Sequence, residues 1–194
     1  KTAETDKIGN HHVPVVILSP EISSIQDPDA LSSISYKYSG DTDTWTIGDM
    51  AADFIYLGKS DLPYALAGTL KKIFDYEYWS GLDAKSDSFP LFTPAEYLKA
   101  ARKSYRINFL SLSIHDITDE LFEAVKNDKF CVIILNTENT HRMAEERRVF
   151  IELRKNGIDT PVIIKMKYSS LDDEDLTIHS ASDIGPLFLD GMGD

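Results

Sequence analysis

Short apolar runs alternate with amphipathic stretches along most of this chain, and this alternation limits the fold more than any other feature. Several runs are apolar at consecutive positions, which is typical of strands covered on both faces in a parallel sheet. Extended segments rich in β-branched and aromatic residues are predicted at 13–18, 34–38, 53–57, 107–114, 130–135, 162–166 and 176–179.

Helix signals lie between these runs. Thr93-Pro94-Ala95-Glu96 reads as a capping box with proline at the first helical position. Thr118 is a second helix cap, and Asn156-Gly157 supplies a helix end. Helices are predicted at 62–73, 93–103, 118–125, 141–155 and 182–189. Residues 75–88 are predicted to form a long irregular connection.

The repeated strand–helix order predicts the fold class. Units of about 20 to 30 residues that alternate in this way are typical of a parallel α/β sheet with right-handed connections. Seven strand candidates approach the eight of a TIM barrel, but 194 residues are few for a complete one. We therefore expect one α/β domain over residues 1–194, TIM-barrel-like and incomplete or not fully closed.

Charge and hydropathy limit the partners. The formal net charge is −12, and both nucleic acid and an anionic membrane require a basic footprint. No apolar stretch approaches the ~20 residues of a membrane span, and residues 1–10 lack the apolar centre of a signal peptide. We expect a cytoplasmic location, with neither nucleic acid nor membrane as a partner.

The single cysteine limits metal chemistry. Cys131 lies in the apolar run 130–135, which predicts a buried core thiol. One cysteine supports neither an internal disulfide nor a multi-cysteine zinc or iron–sulfur site within this segment.

Two other motifs resemble ligand sites only in part. Gly58-Lys59-Ser60 matches the end of a phosphate loop, but Asp53 stands where that motif needs a second glycine. The acidic run 171–175 could bind a hard cation, yet it lacks the glycine-punctuated pattern of a calcium loop. A solvated turn is the favoured interpretation of each.

One histidine has a chemically plausible neighbour. His115-Asp116 follows a predicted strand at its carboxyl end, where α/β folds keep their sites, and could form a general base with an orienting carboxylate. Asp116 could equally begin the turn before Thr118. The other histidines have no second ligand at metal spacing; they are His11, His12, His141 and His179.

The last fifteen residues are the most informative. Ser182 can cap a short helix that buries residues 187–189, and Gly191 and Gly193 then permit a sharp turn. Such a turn usually leads into another strand. We therefore expect that the closing segment of the sheet lies beyond residue 194, with the strand at 13–18 beside the gap.

This stretch resembles a known family. Residues 182–194, preceded by the helix end Asn156-Gly157-Ile158, the strand 160–165 and the segment 173–178, are similar to the 4-hydroxy-3-methylbut-2-enyl diphosphate synthases in their large, three-domain form. The similarity is specific over about the last 50 residues, and it matches the end of the central insert domain of that form.

The resemblance implies a function for a longer parent protein. Members of the family reductively open 2-C-methylerythritol 2,4-cyclodiphosphate in non-mevalonate isoprenoid biosynthesis, with ferredoxin or flavodoxin as electron donor. An N-terminal barrel binds the substrate, and a C-terminal domain carries a 4Fe–4S cluster on three cysteines and a glutamate. None of those residues maps onto this segment, for which we expect no catalytic, cofactor-binding or metal-ligating residue.

Two alternatives remain at this point. The chain could be a self-contained α/β enzyme that uses His115 and Asp116, or an interaction domain of unrelated function. The leading hypothesis is a structural insert whose partners are the substrate barrel and the cluster domain of the same protein.

Overall fold

The computed structural model describes residues 1–83, 87–168 and 172–194. Backbone contacts divide them into two compact units: unit 1 comprises Lys1–Pro14 and Phe92–Asp194, and unit 2 comprises Val15–Leu91. That residues 1–194 act as one domain stays a prediction.

Short strands and helices alternate along the described chain. The strands are β1 (Glu4–Thr5), β2 (Ile8–Gly9), β3 (Ile17–Leu18), β4 (Tyr36–Ser39), β5 (Thr44–Ile47), β6 (Phe54–Gly58), β7 (Lys71–Asp75), β8 (Ser88–Phe92), β9 (Asn108–Leu112), β10 (Cys131–Asn136) and β11 (Val162–Lys165). The α-helices are α1 (Tyr76–Ser80), α2 (Pro94–Lys99), α3 (Asp119–Lys126), α4 (Arg142–Lys155) and α5 (Asp173–Leu189). Short 3-10 helices cover Ile22–Ile25, Pro28–Ile34 and Ile114–Asp116.

Unit 1 is organised around a parallel sheet in which β10 lies between β9 and β11. Ile133 is opposite Leu110 of β9 and Val162 of β11. Every β10 residue from Cys131 to Leu135 is buried, as expected for a strand covered on both faces. The apolar runs predicted at 107–114, 130–135 and 162–166 are therefore confirmed as parallel strands.

The predicted helix caps of unit 1 are present. Thr93 Oγ1 accepts a hydrogen bond from the Glu96 backbone N–H, and the Glu96 carboxylate accepts one from the Thr93 N–H at 2.8 Å. Thr118 Oγ1 caps α3 by accepting from the Leu121 N–H at 3.2 Å. Gly157 follows the end of α4 with φ +67°, so these three helix limits were correctly predicted.

Unit 2 contains a second set of parallel strands, in which β6 pairs with β3 and β7, and β7 pairs with β8. Its core gathers buried side chains from a 3-10 helix and from strands, among them Leu31, Ile55 and Phe74. The predicted strand at 34–38 belongs instead to an antiparallel hairpin, β4–β5. Trp45 in this hairpin packs against Tyr36 and Tyr38 with ring centroids 6.4 and 5.1 Å apart.

The helix predicted at 62–73 is wrong. Residues 61–70 have neither helical nor strand structure, and Lys71–Asp75 form strand β7. Leu62, Ala67 and Leu70 are buried because an irregular segment covers the core. The near-helical spacing of Leu62, Leu66 and Leu70 thus reflects their contact with the core, and Gly68 and Pro63 disfavour a helix.

The irregular connection predicted at 75–88 is also partly wrong. It contains helix α1 and leads into β8, whose central Pro90 is unusual in a strand. Residues 84–86 of this connection lie outside the described residues.

The strand predicted at 176–179 is wrong, as is the short helix capped by Ser182. Both lie within α5, whose cap is Asp172, with its side chain accepting from the Asp175 N–H at 2.8 Å. The alternation of Leu176 and Ile178 with polar neighbours imitates a strand, but the cap lies several residues upstream. Of the three residues expected to be buried at the helix end, only Leu187 is; Leu189 is 89% exposed.

The C-terminal turn has the predicted backbone. Gly191 and Gly193 have φ +70° and +106°, and a Cβ on Gly193 would lie 2.7 Å from the Phe188 ring. The Asp194 N–H then donates to the Val162 carbonyl at 2.8 Å, and the Val162 N–H donates to the Asp194 carboxylate at 2.9 Å. The chain at residue 194 therefore lies along β11.

Parallel strands joined by helices in both units confirm the α/β fold class. The strand predicted at 13–18 is reduced to Ile17–Leu18, which pairs with β6. In the described part of the chain, β3 and β11 each have one partner strand. The strands thus form no closed ring, and the expectation that the arrangement is not fully closed is confirmed.

The capping box of α2 can be tested directly. Thr93→Ala removes the hydroxyl that accepts from Glu96, and we expect the free energy of unfolding to fall by about 1 kcal/mol in urea denaturation. Thr93→Ser keeps the hydroxyl and should lose much less. Equal losses in the two variants would contradict the capping role.

Candidate functional site

Polar side chains gather in unit 1 where β9 and β10 end. The 3-10 turn Ile114–Asp116 follows β9, and the loop Thr137–His141 connects β10 to α4. The loop is held by its own side chains: the Asn139 N–H donates to Thr137 Oγ1 at 3.0 Å, and the His141 N–H donates to Asn139 Oδ1 at 2.9 Å. In parallel α/β folds the carboxyl ends of strands are the usual place for a site.

His115 and Asp116 do not form the pair that the enzyme alternative requires. Asp116 Oδ2 accepts hydrogen bonds from the Ser113 N–H at 2.8 Å and from Ser113 Oγ at 2.7 Å. His115 is exposed, and in the described part of the chain no hydrogen bond joins its ring to Asp116. The carboxylate therefore closes the turn and does not orient the imidazole as a general base needs.

Glu145, in the first turn of α4, belongs to the same strand ends. Its carboxylate accepts hydrogen bonds from Thr137 Oγ1 and from Asn139 Nδ2, the latter at 2.7 Å. These bonds lower the pKa of Glu145, with a smaller contribution from the charge of His115. An ionised Glu145 thus fastens the β10–α4 loop.

Glu146 is the unusual group of this region. Its side chain has no exposed surface, and within the described residues neither carboxylate oxygen has a hydrogen-bond partner. Burial, reinforced by the negative charges of Asp183 and Glu145, raises the pKa of Glu146 to about 8, against the opposing charge of Arg142. Glu146 is therefore protonated at neutral pH.

Glu146 belongs to no sequence motif described above, although its position in helix α4 carries a signal. Glu146, Val149 and Leu153 follow each other at spacings of three and four, and they are the buried residues of α4. That spacing places the carboxyl group on the apolar stripe of the helix.

Asp183 of α5 ties the two neighbouring helices together. Its carboxylate accepts a hydrogen bond from the Tyr168 hydroxyl at 2.8 Å and lies 3.5 Å from Arg142 Nη1. The Arg142 guanidinium also lies over the Tyr168 ring, 4.9 Å from its centroid. Burial raises the pKa of Tyr168 to about 12. This cluster fixes α5 against α4, because the charges of Asp183 and Arg142 face each other inside the fold.

Cys131 lies in the buried strand β10, as predicted. It is 1% exposed, and burial raises the pKa of its thiol to about 12. A thiol in this environment stays protonated at neutral pH and is a poor metal ligand.

The partial phosphate loop and the acidic run have local structural roles. Lys59 Nζ lies 2.6 Å from the Glu77 carboxylate in an exposed ion pair. Asp172 caps α5, which agrees with the preference for acids at a helix N-terminus. Residue 171 lies outside the described residues. The described residues contain no group of three or more histidine, cysteine or acidic side chains placed to hold a metal ion.

The remaining histidines lie apart from this cluster or at its margin. His12 lies 3.3 Å from Glu4, and the His11 ring lies 2.5 Å from Lys1 Nζ, both near the N-terminus. His141 precedes α4, and the His179 ring packs near Tyr168 at 6.3 Å between centroids.

A separate groove of about 700 Å³ lies near the amino ends of β9 and β10. It is lined by Arg102, Tyr105 and Lys129, together with Lys103 and Asp128, which lie 3.5 Å apart. In parallel α/β barrels the amino-end face serves stability. We therefore assign no reaction to the groove.

The burial of Glu146 predicts a measurable pH dependence. The folded chain keeps this proton to about pH 8, whereas the unfolded chain loses it near 4.5. Between these values the folded state holds one more proton, so this group lowers the free energy of unfolding by about 1.4 kcal/mol per pH unit as pH rises. Glu146→Gln should remove this slope in denaturation measured from pH 5 to 9.

Glu145→Gln is the matched control for that measurement. Because the pKa of Glu145 is lowered, its contribution to stability is present above its unfolded pKa and is lost as pH falls. From pH 5 to 9 Glu145 is ionised in the folded and unfolded states alike, because its folded pKa lies below 4.5, so Glu145→Gln should leave the slope over this range unchanged. Identical profiles for Glu146→Gln and the unmodified chain would contradict the assignment.

The chain is similar to several 4-hydroxy-3-methylbut-2-en-1-yl diphosphate synthases. A 4-hydroxy-3-methylbut-2-en-1-yl diphosphate synthase (flavodoxin) of Parabacteroides distasonis is 32% identical over 142 residues, which are 73% of this chain and 23% of that protein. The synthase of the same name in Bacteroides thetaiotaomicron is 27% identical over 194 residues, which are 100% of this chain and 28% of that protein. The chloroplastic synthase (ferredoxin) of Oryza sativa subsp. japonica is 38% identical over 58 residues, 29% of this chain and 8% of that protein.

These similarities extend the resemblance beyond the C-terminal stretch. No family model and no solved structure matches the chain. None of the helices in the described ranges has both the length and the apolar character that crossing a membrane requires. The chain spans about a quarter of the length of the curated relatives that it matches over most or all of its residues. The resemblance is confirmed over the whole chain, which is related to a segment of the 4-hydroxy-3-methylbut-2-en-1-yl diphosphate synthases.

Proposed function

We propose that this chain is a structural insert domain of a longer 4-hydroxy-3-methylbut-2-enyl diphosphate synthase. The observation that carries the proposal is that relatives of this name match the chain from end to end with about a quarter of their own length. In this proposal the parent enzyme opens 2-C-methylerythritol 2,4-cyclodiphosphate reductively in isoprenoid biosynthesis, in the cytoplasm.

The chemistry of the chain's own residues supports a role outside catalysis. An iron–sulfur cluster of this kind needs several thiolates, whereas this chain has one cysteine, which is buried and has a raised pKa. The residues present therefore do not fit a 4Fe–4S cluster. In the proposal, the cluster belongs to the C-terminal domain of the parent, and the diphosphate substrate to its N-terminal barrel.

The electron donor is proposed from the relatives' names. The bacterial relatives are named as flavodoxin-dependent and the rice relative as ferredoxin-dependent. We propose that one of these donors reduces the parent enzyme through its cluster domain. The insert would hold its neighbouring domains in position, and the ties between α4 and α5 would keep it rigid.

Iron content tests the placement of the cluster. After anaerobic reconstitution, the longer protein should hold about four irons, as one 4Fe–4S cluster does, and Cys131→Ser should keep them. The 194-residue chain alone should stay colourless. Stoichiometric iron in the chain alone, lost on Cys131→Ser, would place a metal site here and contradict the proposal.

Substitution at the strand ends separates the insert from a self-contained enzyme. We expect His115→Ala and Asp116→Ala to lower turnover of the longer protein by less than about tenfold, because neither group would touch substrate. Loss of a key catalytic group costs about a thousandfold. A loss of that size in a variant that still melts cooperatively would instead favour the enzyme alternative.

A further inference from the structure

Helix α5 has a face that none of the described residues of unit 1 covers. Ile178 is 55% exposed and Leu189 is 89% exposed, and they are eleven residues apart, close to three helical turns. Ala181 and Ser182 between them are also exposed. A Cβ added to Gly185 would meet no atom within 4 Å. These residues, the α5 face, form one uncharged stripe.

The opposite side of the same helix shows why α5 lies where it does. Leu187 has no exposed surface, and Asp183 is tied to Tyr168 and Arg142. Asp190 lies 2.5 Å from Arg147. Asp183 and Asp190 therefore have partners within the fold, and the α5 face itself contains no charged residue in a chain of net charge −12.

A second copy of the chain is a poor occupant for this face. A stripe three turns long and one helix wide covers roughly 200 Å², whereas a stable dimer buries about 800 Å² on each partner. Two copies would also bring two net charges of −12 together. A domain on the same polypeptide needs less area, because the linkage supplies a high effective concentration.

We propose that the α5 face packs against another domain of the same, longer polypeptide. This inference rests on the proposed function, in which relatives carry about three quarters of their length outside the matched segment. The partner surface is apolar and uncharged, since a charge placed against Ile178 and Leu189 would be desolvated without a counter-ion. The ties from Asp183 set the orientation of the face.

Hydrogen exchange in the longer protein tests the proposal. The double variant Ile178→Lys/Leu189→Lys places two charges on the face, and lysine is a better helix former than isoleucine. We expect α5 amides to exchange at least about tenfold faster in this variant than in the unmodified longer protein, because the domain contact is lost. Met50→Lys is the control, since Met50 is 87% exposed in unit 2, and it should leave exchange in α5 unchanged.

The same double variant in the 194-residue chain should shift the melting temperature by less than about 2 °C, as surface substitutions do. A similarly large exchange increase in the 194-residue chain would show helix damage and overturn the proposal. Unchanged α5 exchange in the longer variant would overturn it as well, as would a dimer of the 194-residue chain that the double variant dissociates.

The synthase turnover of the unmodified longer protein is measured separately. Its absence refutes the proposed function, whereas its presence together with an unprotected α5 refutes only this inference.

Discussion

Burial of β10 on both faces is the constraint on which unit 1 depends. A strand that is apolar from Cys131 to Leu135 cannot leave either face in water without exposing the two or three apolar side chains on that face. Parallel neighbours satisfy its backbone, and helices must cover it. The helices in turn need caps and tight ends, which Thr118 and Gly157 provide. The order of elements follows from this requirement.

The sequence predicted the secondary structure correctly where a local motif and the pattern of apolar residues indicate the same element. The capping box at Thr93, the cap at Thr118 and the strand 130–135 combine a specific signal with a specific structure, and all three were correctly predicted. The helix predicted at 62–73 is wrong because leucines that contact the core from an irregular segment recur at nearly helical intervals. The strand predicted at 176–179 is wrong because the β-branched residues Thr177 and Ile178, which favour strands, lie inside a helix of 17 residues.

The candidate site shows the same division between local and long-range information. That His115 and Asp116 lie at a strand end could be read from the sequence. The capture of Asp116 by Ser113 could not, because a 3-10 turn of three residues is too short to show a helical pattern. The buried Glu146 lies on a helical stripe that the spacing of Val149 and Leu153 reveals. The raised pKa of Glu146 depends also on Asp183, a residue of another helix, and sequence spacing does not predict that contact.

The central claim is that this chain is a structural part of a longer reductase, and the complete reading frame around it tests that claim most directly. Sequencing that frame, together with the intact mass of the native protein, should give a polypeptide several times longer than 194 residues. Beyond this segment it should carry three spaced cysteines able to hold an iron–sulfur cluster. A native protein that ends at Asp194, or a longer one without those cysteines, would contradict the account.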